Sequence, residues 1–298
     1  MYKVNNIIFY DPSLSRKIVT FLSLIGSDLI AFKTFIPPTI MVVTQKDFTF
    51  FLQEIFSFFF DNLRDPQNIM IIQNSYITQE EYERMVIEYT EDIETNDFII
   101  TPRIGNYNKT PLYIISVNFA QGTGAHPTTK MILDNLKKTL EHHKKKTLII
   151  DYGSGSGILS IASKKILSKS SVLSIEINFR SLIEAKRNYI LNKTEIFFCL
   201  SNTIQVLNLT SIKQTFDNKV LIINVPLYVI EKSLKYLKEN NFYFDILMIS
   251  GIKKPKNIDQ TSFINKLNQE NFDNYLDNYE ITSDCQKDWI LIIAKIKT

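Results

Sequence analysis

The chain has 298 residues, enough for one large or two modest domains, each with its own core. A hydrophobic share of 45% against 22% charged residues excludes a disordered chain, and a net charge of +3 is too small to argue for a nucleic-acid partner. Two cysteines, Cys199 and Cys285, make neither a disulfide framework nor a metal-ligand spacing, which fits a reducing cytoplasm. The amino end carries no apolar signal segment, and the greasiest stretch, Phe48 to Phe60, is broken by Gln53-Glu54 and too short to span a bilayer. No membrane association is expected.

In chain order, residues 1–75 read as strand Val4–Phe9, helix Pro12–Ile25, strands Leu29–Phe35 and Thr39–Val43, helix Phe48–Leu63 and strand Ile69–Ile72. The order β-α-β-β-α-β predicts a small α+β ferredoxin-like module. It lacks cysteine and histidine, so partner recognition or scaffolding suits it better than chemistry. Residues 76–111 read as a helical linker. Thr78-Gln-Glu-Glu81 is a capping box that opens a helix to about Tyr89, followed by polar and turn-rich stretches. From 112 to 298, strands at Thr147–Asp151, Val172–Glu176, Ile196–Cys199, Val220–Asn224 and Ile246–Ser250 alternate with helical patterns, which predicts a parallel, doubly wound sheet. Tyr279–Thr282 and Trp289–Ile296 have no helix between them and predict an antiparallel closing hairpin.

The most informative segment is Asp151-Tyr-Gly-Ser-Gly-Ser-Gly157, set between an apolar strand and the helical pattern from Ile158. A glycine turn there presents backbone N–H groups to a ligand. Gly153, Gly155 and Gly157 are spaced G-x-G-x-G, whereas a nicotinamide fingerprint would be G-x-G-x-x-G. Glu176 ends the next strand, where a carboxylate can accept two ribose hydroxyls. Acid, glycine turn and strand-end acid together favour S-adenosylmethionine over a nicotinamide dinucleotide; a tight turn with no ligand is the plainer alternative. Upstream, Gly122 and Gly124 permit positive φ, and Pro127 suits a first helical turn holding Thr128 and Thr129. Thr129 is either a local cap or a partner for a cofactor carboxylate at the helix N-terminus. His126 reads as a hydrogen-bonded structural histidine, and His142-His143 as a solvated helix end.

Gln121-Gly-Thr-Gly-Ala-His-Pro-Thr-Thr129 followed by Asp151–Ala162 resembles the PrmA family, which methylates the large-subunit ribosomal protein L-eleven. Ser250-Gly-Ile252 and Lys287-Asp-Trp289 are similar to the family's motifs after the fifth strand and before the last. The resemblance implies a class I methyltransferase fold, a Rossmann-like doubly wound sheet with an antiparallel C-terminal hairpin, behind a substrate-recognising ferredoxin-like domain. It implies S-adenosylmethionine as cofactor, held by Thr129, Asp151, Gly153, Gly155, Gly157, Glu176 and Asn224, with no metal. Asn224 is the candidate catalytic residue, its alternative role being a strand-end turn. The implied partner is protein L-eleven, methylated on lysine ε-amino and/or N-terminal α-amino groups, with no nucleic-acid contact required.

Three departures stand out. The family's Asp-x-Asp at the strand end is here Glu176 and Asn178. Its Asn-Ile-Leu is Asn224-Val-Pro-Leu227, halfway to the Asn-Pro-Pro-Tyr of amine and amide methyltransferases. Its linker tryptophans are absent, since Trp289 is the only one in the chain. An enzyme of the same fold acting on another protein lysine, a glutamine amide or a nucleic-acid base therefore stays open, as does a cofactor-binding, ribosome-associated module without turnover.

Overall fold

A computed structural model describes residues 2–9, 30–35, 38–44, 69–78, 80–81, 84, 87–88, 90–116, 122–143, 146–209, 216–270, 272 and 275–297. Two compact units divide the chain, Met1–Thr90 with Val117–Phe119, and Glu91–Ser116 with Ala120–Thr298.

In the first unit, β1 (Tyr2–Phe9), β2 (Ile30–Phe35), β3 (Pro38–Thr44) and β4 (Ile69–Ile77) form one sheet in the order β2-β3-β1-β4. Every pairing is antiparallel. That is the strand order of a ferredoxin-like β-α-β-β-α-β module. The helices expected at Pro12–Ile25 and Phe48–Leu63 lie outside the described residues. The capping box is formed: the Glu81 N–H donates to Thr78 Oγ1 at 3.2 Å, and the Thr78 N–H to Glu81 Oε2 at 2.7 Å.

The second unit opens with a small sheet in the stretch read above as the back of the linker. Strands β5 (Ile93–Glu94), β6 (Phe98–Thr101) and β7 (Thr110–Tyr113) lie in the order β5-β6-β7, with β6 and β7 parallel. Phe98, Ile100 and Leu112 join the core beside helix α1 (Pro127–Leu140). The chain then builds a seven-stranded sheet from β8 (Thr147–Tyr152), β9 (Ser171–Glu176), β10 (Phe197–Leu200), β11 (Asn218–Asn224), β12 (Ile246–Lys253), β13 (Tyr279–Gln286) and β14 (Trp289–Ile296). Its order is β10-β9-β8-β11-β12-β14-β13. The first five run parallel, and β14 inserts antiparallel between β12 and β13.

Helices α2 (Ile158–Ile166), α3 (Phe179–Leu191), α4 (Leu227–Glu239) and α5 (Gln260–Glu270) follow β8, β9, β11 and β12, and a 3-10 helix, Ile204–Leu209, follows β10. The central strands read as continuous apolar runs because both of their faces are covered. Leu148, Ile150, Leu221, Ile223, Leu247 and Ile249 pack with Ile230, Leu234 and Leu237 of α4. Ile149, Val220, Ile222 and Met248 pack instead with Leu133 and Leu136 of α1 and Ile161 of α2. The two residue sets alternate along each strand, as the period of two demands. The closing hairpin turns on Lys287 and Asp288, at φ 50 and 65. Positive φ at both central residues is the geometry whose twist matches the flanking strands.

Candidate functional site

Ligands of an open α/β sheet bind beyond the carboxyl ends of its strands, and here those ends carry the residues singled out from the sequence. Tyr152 of β8 pairs with Ile175 of β9 and with Ile223 of β11, so the glycine turn, Glu176 and Asn224 follow adjacent strands. Gly153, Gly155 and Gly157 stand at φ 79, 53 and 79, the left-handed region that disfavours a side chain. The turn is tied to β9 by its own backbone: the Gly153 and Ser154 N–H groups donate to the Ile175 carbonyl at 2.9 and 3.1 Å.

Glu176 is buried, and both of its oxygens are engaged. Oε2 accepts the Gly155 N–H and Oε1 the Asn178 N–H, each at 2.8 Å. Each oxygen keeps a second lone pair for a ligand hydroxyl. The longer arm of glutamate is thus used to reach back to the glycine turn. Asn178, which stands where the family has a second acid, caps α3 instead, accepting from the N–H groups of Arg180 at 2.9 Å and Ser181 at 3.3 Å.

Asp151 is fully buried at the end of β8. Its Oδ2 accepts from the Ser160 N–H at 3.0 Å and the Ser160 hydroxyl at 2.6 Å, while Oδ1 is buried with no hydrogen-bond partner. Burial lifts the carboxyl to about 6 against the pull of the Ser160 bonds, and the negative charge of Glu176 adds to the rise. An unpartnered, desolvated carboxylate oxygen is a costly feature that a cationic ligand group would relieve.

The third wall is the start of α1. His126 is its N-cap and Pro127 its first residue; the Thr128 N–H donates to His126 Nδ1. Gly122 and Gly124, at φ 92 and 91, lead into it as expected, and the Gly122 carbonyl accepts from Ser156 Oγ at 2.6 Å. Thr129 is buried, and its Oγ1 accepts from Asn224 Nδ2 at 3.2 Å. The plain cap is therefore supplied by His126, and Thr129 turns inward to the end of β11. His142 and His143 lie just past α1, with the His142 side chain 83% exposed.

Several supporting residues have no signature in the sequence. Tyr189 donates to Ser174 Oγ, which donates to Ser154 Oγ, both at 2.7 Å, so a hydroxyl chain runs beneath the turn. A Cβ on Gly157 would come within 2.4 Å of Tyr189. Val225 occupies the space of two absent side chains. A Cβ on Gly153 would meet its Cγ1 at 2.3 Å, and one on Gly251 its carbonyl oxygen at 2.2 Å. Ser250-Gly-Ile252 is thus a bulge inside β12, where the register against β14 shifts between Ile249 and Ile252, and it makes room for the loop after Asn224. Among the described residues no cluster of His, Cys, Asp or Glu could hold a metal, and no helix is long and apolar enough to cross a membrane.

Five parallel strands closed by an antiparallel hairpin in this order, with a G-x-G-x-G turn after β8 and an acid ending β9, define a class I methyltransferase fold. The crystal structure of the ribosomal protein L11 methylase from Lactobacillus delbrueckii subsp. bulgaricus shares it, with a TM-score of 0.50 and 21% identity over 70% of this chain and 100% of that one. The chain belongs to the family described as Ribosomal protein L11 methyltransferase (PrmA), whose model matches residues 49–296. It is similar to the protein of that name from Aquifex aeolicus, 32% identical over 57% of this chain and 62% of that protein. It is 29% identical to the one from Dictyoglomus turgidum over 75% of this chain and 69% of that protein. The match thus takes in less than two thirds of the Aquifex aeolicus protein's length.

Proposed function

We propose that this chain is an enzyme that transfers methyl groups from S-adenosylmethionine to lysine ε-amino and/or N-terminal α-amino groups of ribosomal protein L11, in the cytoplasm and without needing to touch nucleic acid. One observation carries the reading: the unpartnered Asp151 Oδ1 lies in the same strand-end setting as Glu176 and the Asn224–Thr129 pair. These groups suit the charges of the cofactor: carboxylates for its ammonium and ribose, and the start of α1 with Thr129 for its carboxylate. Gly153, Gly155 and Gly157 leave the backbone bare for close approach.

When bound, the cofactor supplies an electrophilic methyl group on a sulfonium. The protein's part is to align the acceptor amine and to strip water from it. A lysine amine has a reference pKa of about 10.4, so a pocket of low polarity must favour its neutral form. Thr129 holds the Asn224 amide nitrogen, which leaves the amide oxygen to accept a hydrogen bond from the amine. An uncharged acceptor orients the amine without trapping it as ammonium. Residues 1–75 select the protein substrate in this reading, 76–111 link, and 112–298 carry the chemistry.

The Asn224-Val-Pro-Leu227 loop also favours a second reading, an enzyme of this fold acting on a different lysine or a glutamine amide. Incubation with methyl-labelled cofactor, purified L11 and a proteome lacking the enzyme separates the two. Label on L11 supports the first reading, label on another protein supports the second, and cofactor binding without label refutes both.

A further inference from the structure

We propose that His126 is a positioning residue whose neutral imidazole holds the first turn of α1 against Asn224, so that protonating this one ring weakens cofactor binding. The proposal rests on the reading above that Thr129 and Asn224 border the cofactor.

Pro127 has no N–H, so the first free donor of α1 is the Thr128 N–H, and it goes to His126 Nδ1 at 3.4 Å. The Thr128 hydroxyl lies 2.8 Å from the same nitrogen. With the ring proton on Nε2, Nδ1 accepts the Thr128 N–H and the cap is made; a proton on Nδ1 keeps the contact to the Thr128 hydroxyl as a donation but ends the cap. Serine, threonine, aspartate and asparagine cap helices without losing their acceptor near neutral pH; histidine loses it. The next residue, Thr129, makes the bond to Asn224. Uncapping the turn therefore acts one residue away from the proposed site.

Protonation would leave the ring the Thr128 hydroxyl as an acceptor for Nδ1–H and Trp289 as a neighbour, but no acceptor for the Thr128 N–H. The ring meets Trp289 edge to face, with centroids 4.8 Å apart, and Lys253 Nζ lies 5.9 Å from the centroid of the same tryptophan. Lys130 follows one turn along α1, and Lys287 and Asp288 form the turn before Trp289. Of the loop carboxylates, Glu176 is engaged through both oxygens with backbone N–H groups and Asp151 through Oδ2 with Ser160. The positive end of α1 adds a further penalty. Partial burial accordingly lowers the His126 pKa. With the folded value below the unfolded one, its stabilisation is complete above about pH 6.5 and is lost as pH falls through the folded value.

The test uses the full chain as wild type, His126→Asn and His126→Ala. It measures S-adenosylmethionine affinity from pH 8 to pH 5 and thermal unfolding of the cofactor-free protein over the same range. Asparagine caps without titrating. The expected result is wild-type affinity for His126→Asn at pH 8, and a wild-type acid loss about tenfold greater than that of His126→Asn, the scale of one lost cap. His126→Ala should bind weakly throughout. Asp151 titrates in the same interval in every variant, so the difference between wild type and His126→Asn reports the ring. Parallel acid losses in those two proteins would overturn the proposal while leaving the cofactor reading intact. No cofactor binding by wild type at any pH overturns that reading and the proposal together.

Discussion

Asn224 donates its side-chain N–H to Thr129 Oγ1 at 3.2 Å, joining the carboxyl end of β11 to the first turn of α1 across 95 residues of chain. The bond fixes which way the amide faces, so deleting it costs orientation as well as a contact. Asn224→Ala should lower turnover at saturating cofactor and substrate by about a hundredfold, the loss expected for one preorganised polar group. Its stability cost should stay near 1 kcal/mol, that of one partly buried hydrogen bond. Asn224→Asp should also be slow, because a carboxylate favours the protonated amine. Near-wild-type turnover in both variants would reduce Asn224 to a turn residue.

Asp151 gives the fold a pH dependence of its own. Its carboxyl titrates at about 6 in the folded protein, above the ordinary value, so the native state binds the proton more tightly than the unfolded chain does. Stability should fall as pH rises from about 4 to about 6 and then level off, by on the order of 3 kcal/mol from this group. Asp151→Asn should abolish that slope and be the more stable protein at pH 7, yet bind S-adenosylmethionine at least tenfold more weakly, for want of the charge on Oδ1. Denaturant unfolding across the pH range, paired with calorimetric binding, reads both effects. An unchanged slope in the variant would refute the assignment.

The glycines separate binding from turnover. Gly155→Val places a β-branched side chain at φ 53, beside the N–H that Glu176 accepts, and should abolish cofactor binding. Gly251→Ala drives a Cβ into the Val225 carbonyl, 2.2 Å away. It should displace the loop after Asn224, slow turnover tenfold or more and cost about 1–3 kcal/mol of stability. Titration calorimetry and labelled-methyl turnover distinguish the two. Unchanged cofactor affinity in a folded Gly155→Val protein would contradict the site.

Shortening the chain to begin at residue 92 removes nearly all of the first unit, Met1–Thr90 with Val117–Phe119. Once its folding is checked by circular dichroism, the shortened protein should bind cofactor normally and fail to methylate L11. Full activity would put substrate selection in the methyltransferase unit itself.

The large sheet was legible because its central strands are buried on both faces, so they read as short apolar runs such as Val220–Ile223, ended by glycine or asparagine. The sheet at 93–113 was not, since strands of two to four residues are too short to show a period. Of the candidate site, Thr129, Asp151, Glu176 and Asn224 were proposed from motifs, but their contacts could not be. Ser160 holding Asp151, Tyr189 beneath Gly157, and Asn188 Oδ1 accepting the Ile115 N–H across 73 residues are tertiary pairings that no local spacing encodes. Nor does any spacing show that the longer arm of Glu176, where the family has aspartate, meets the Gly155 N–H.

Val225 sets unequal evolutionary freedom on its two glycine neighbours. At position 153 the obstacle is a Val225 methyl, so an alanine there becomes sterically admissible in a lineage that has first trimmed residue 225, at the remaining cost of φ 79. At position 251 the obstacle is the Val225 carbonyl, which every amino acid carries. No exchange at 225 can make way for it. Position 251 is therefore closed by the main chain itself, and descendants of this sequence that remodel the loop after Asn224 must keep that glycine or rebuild the bulge around it.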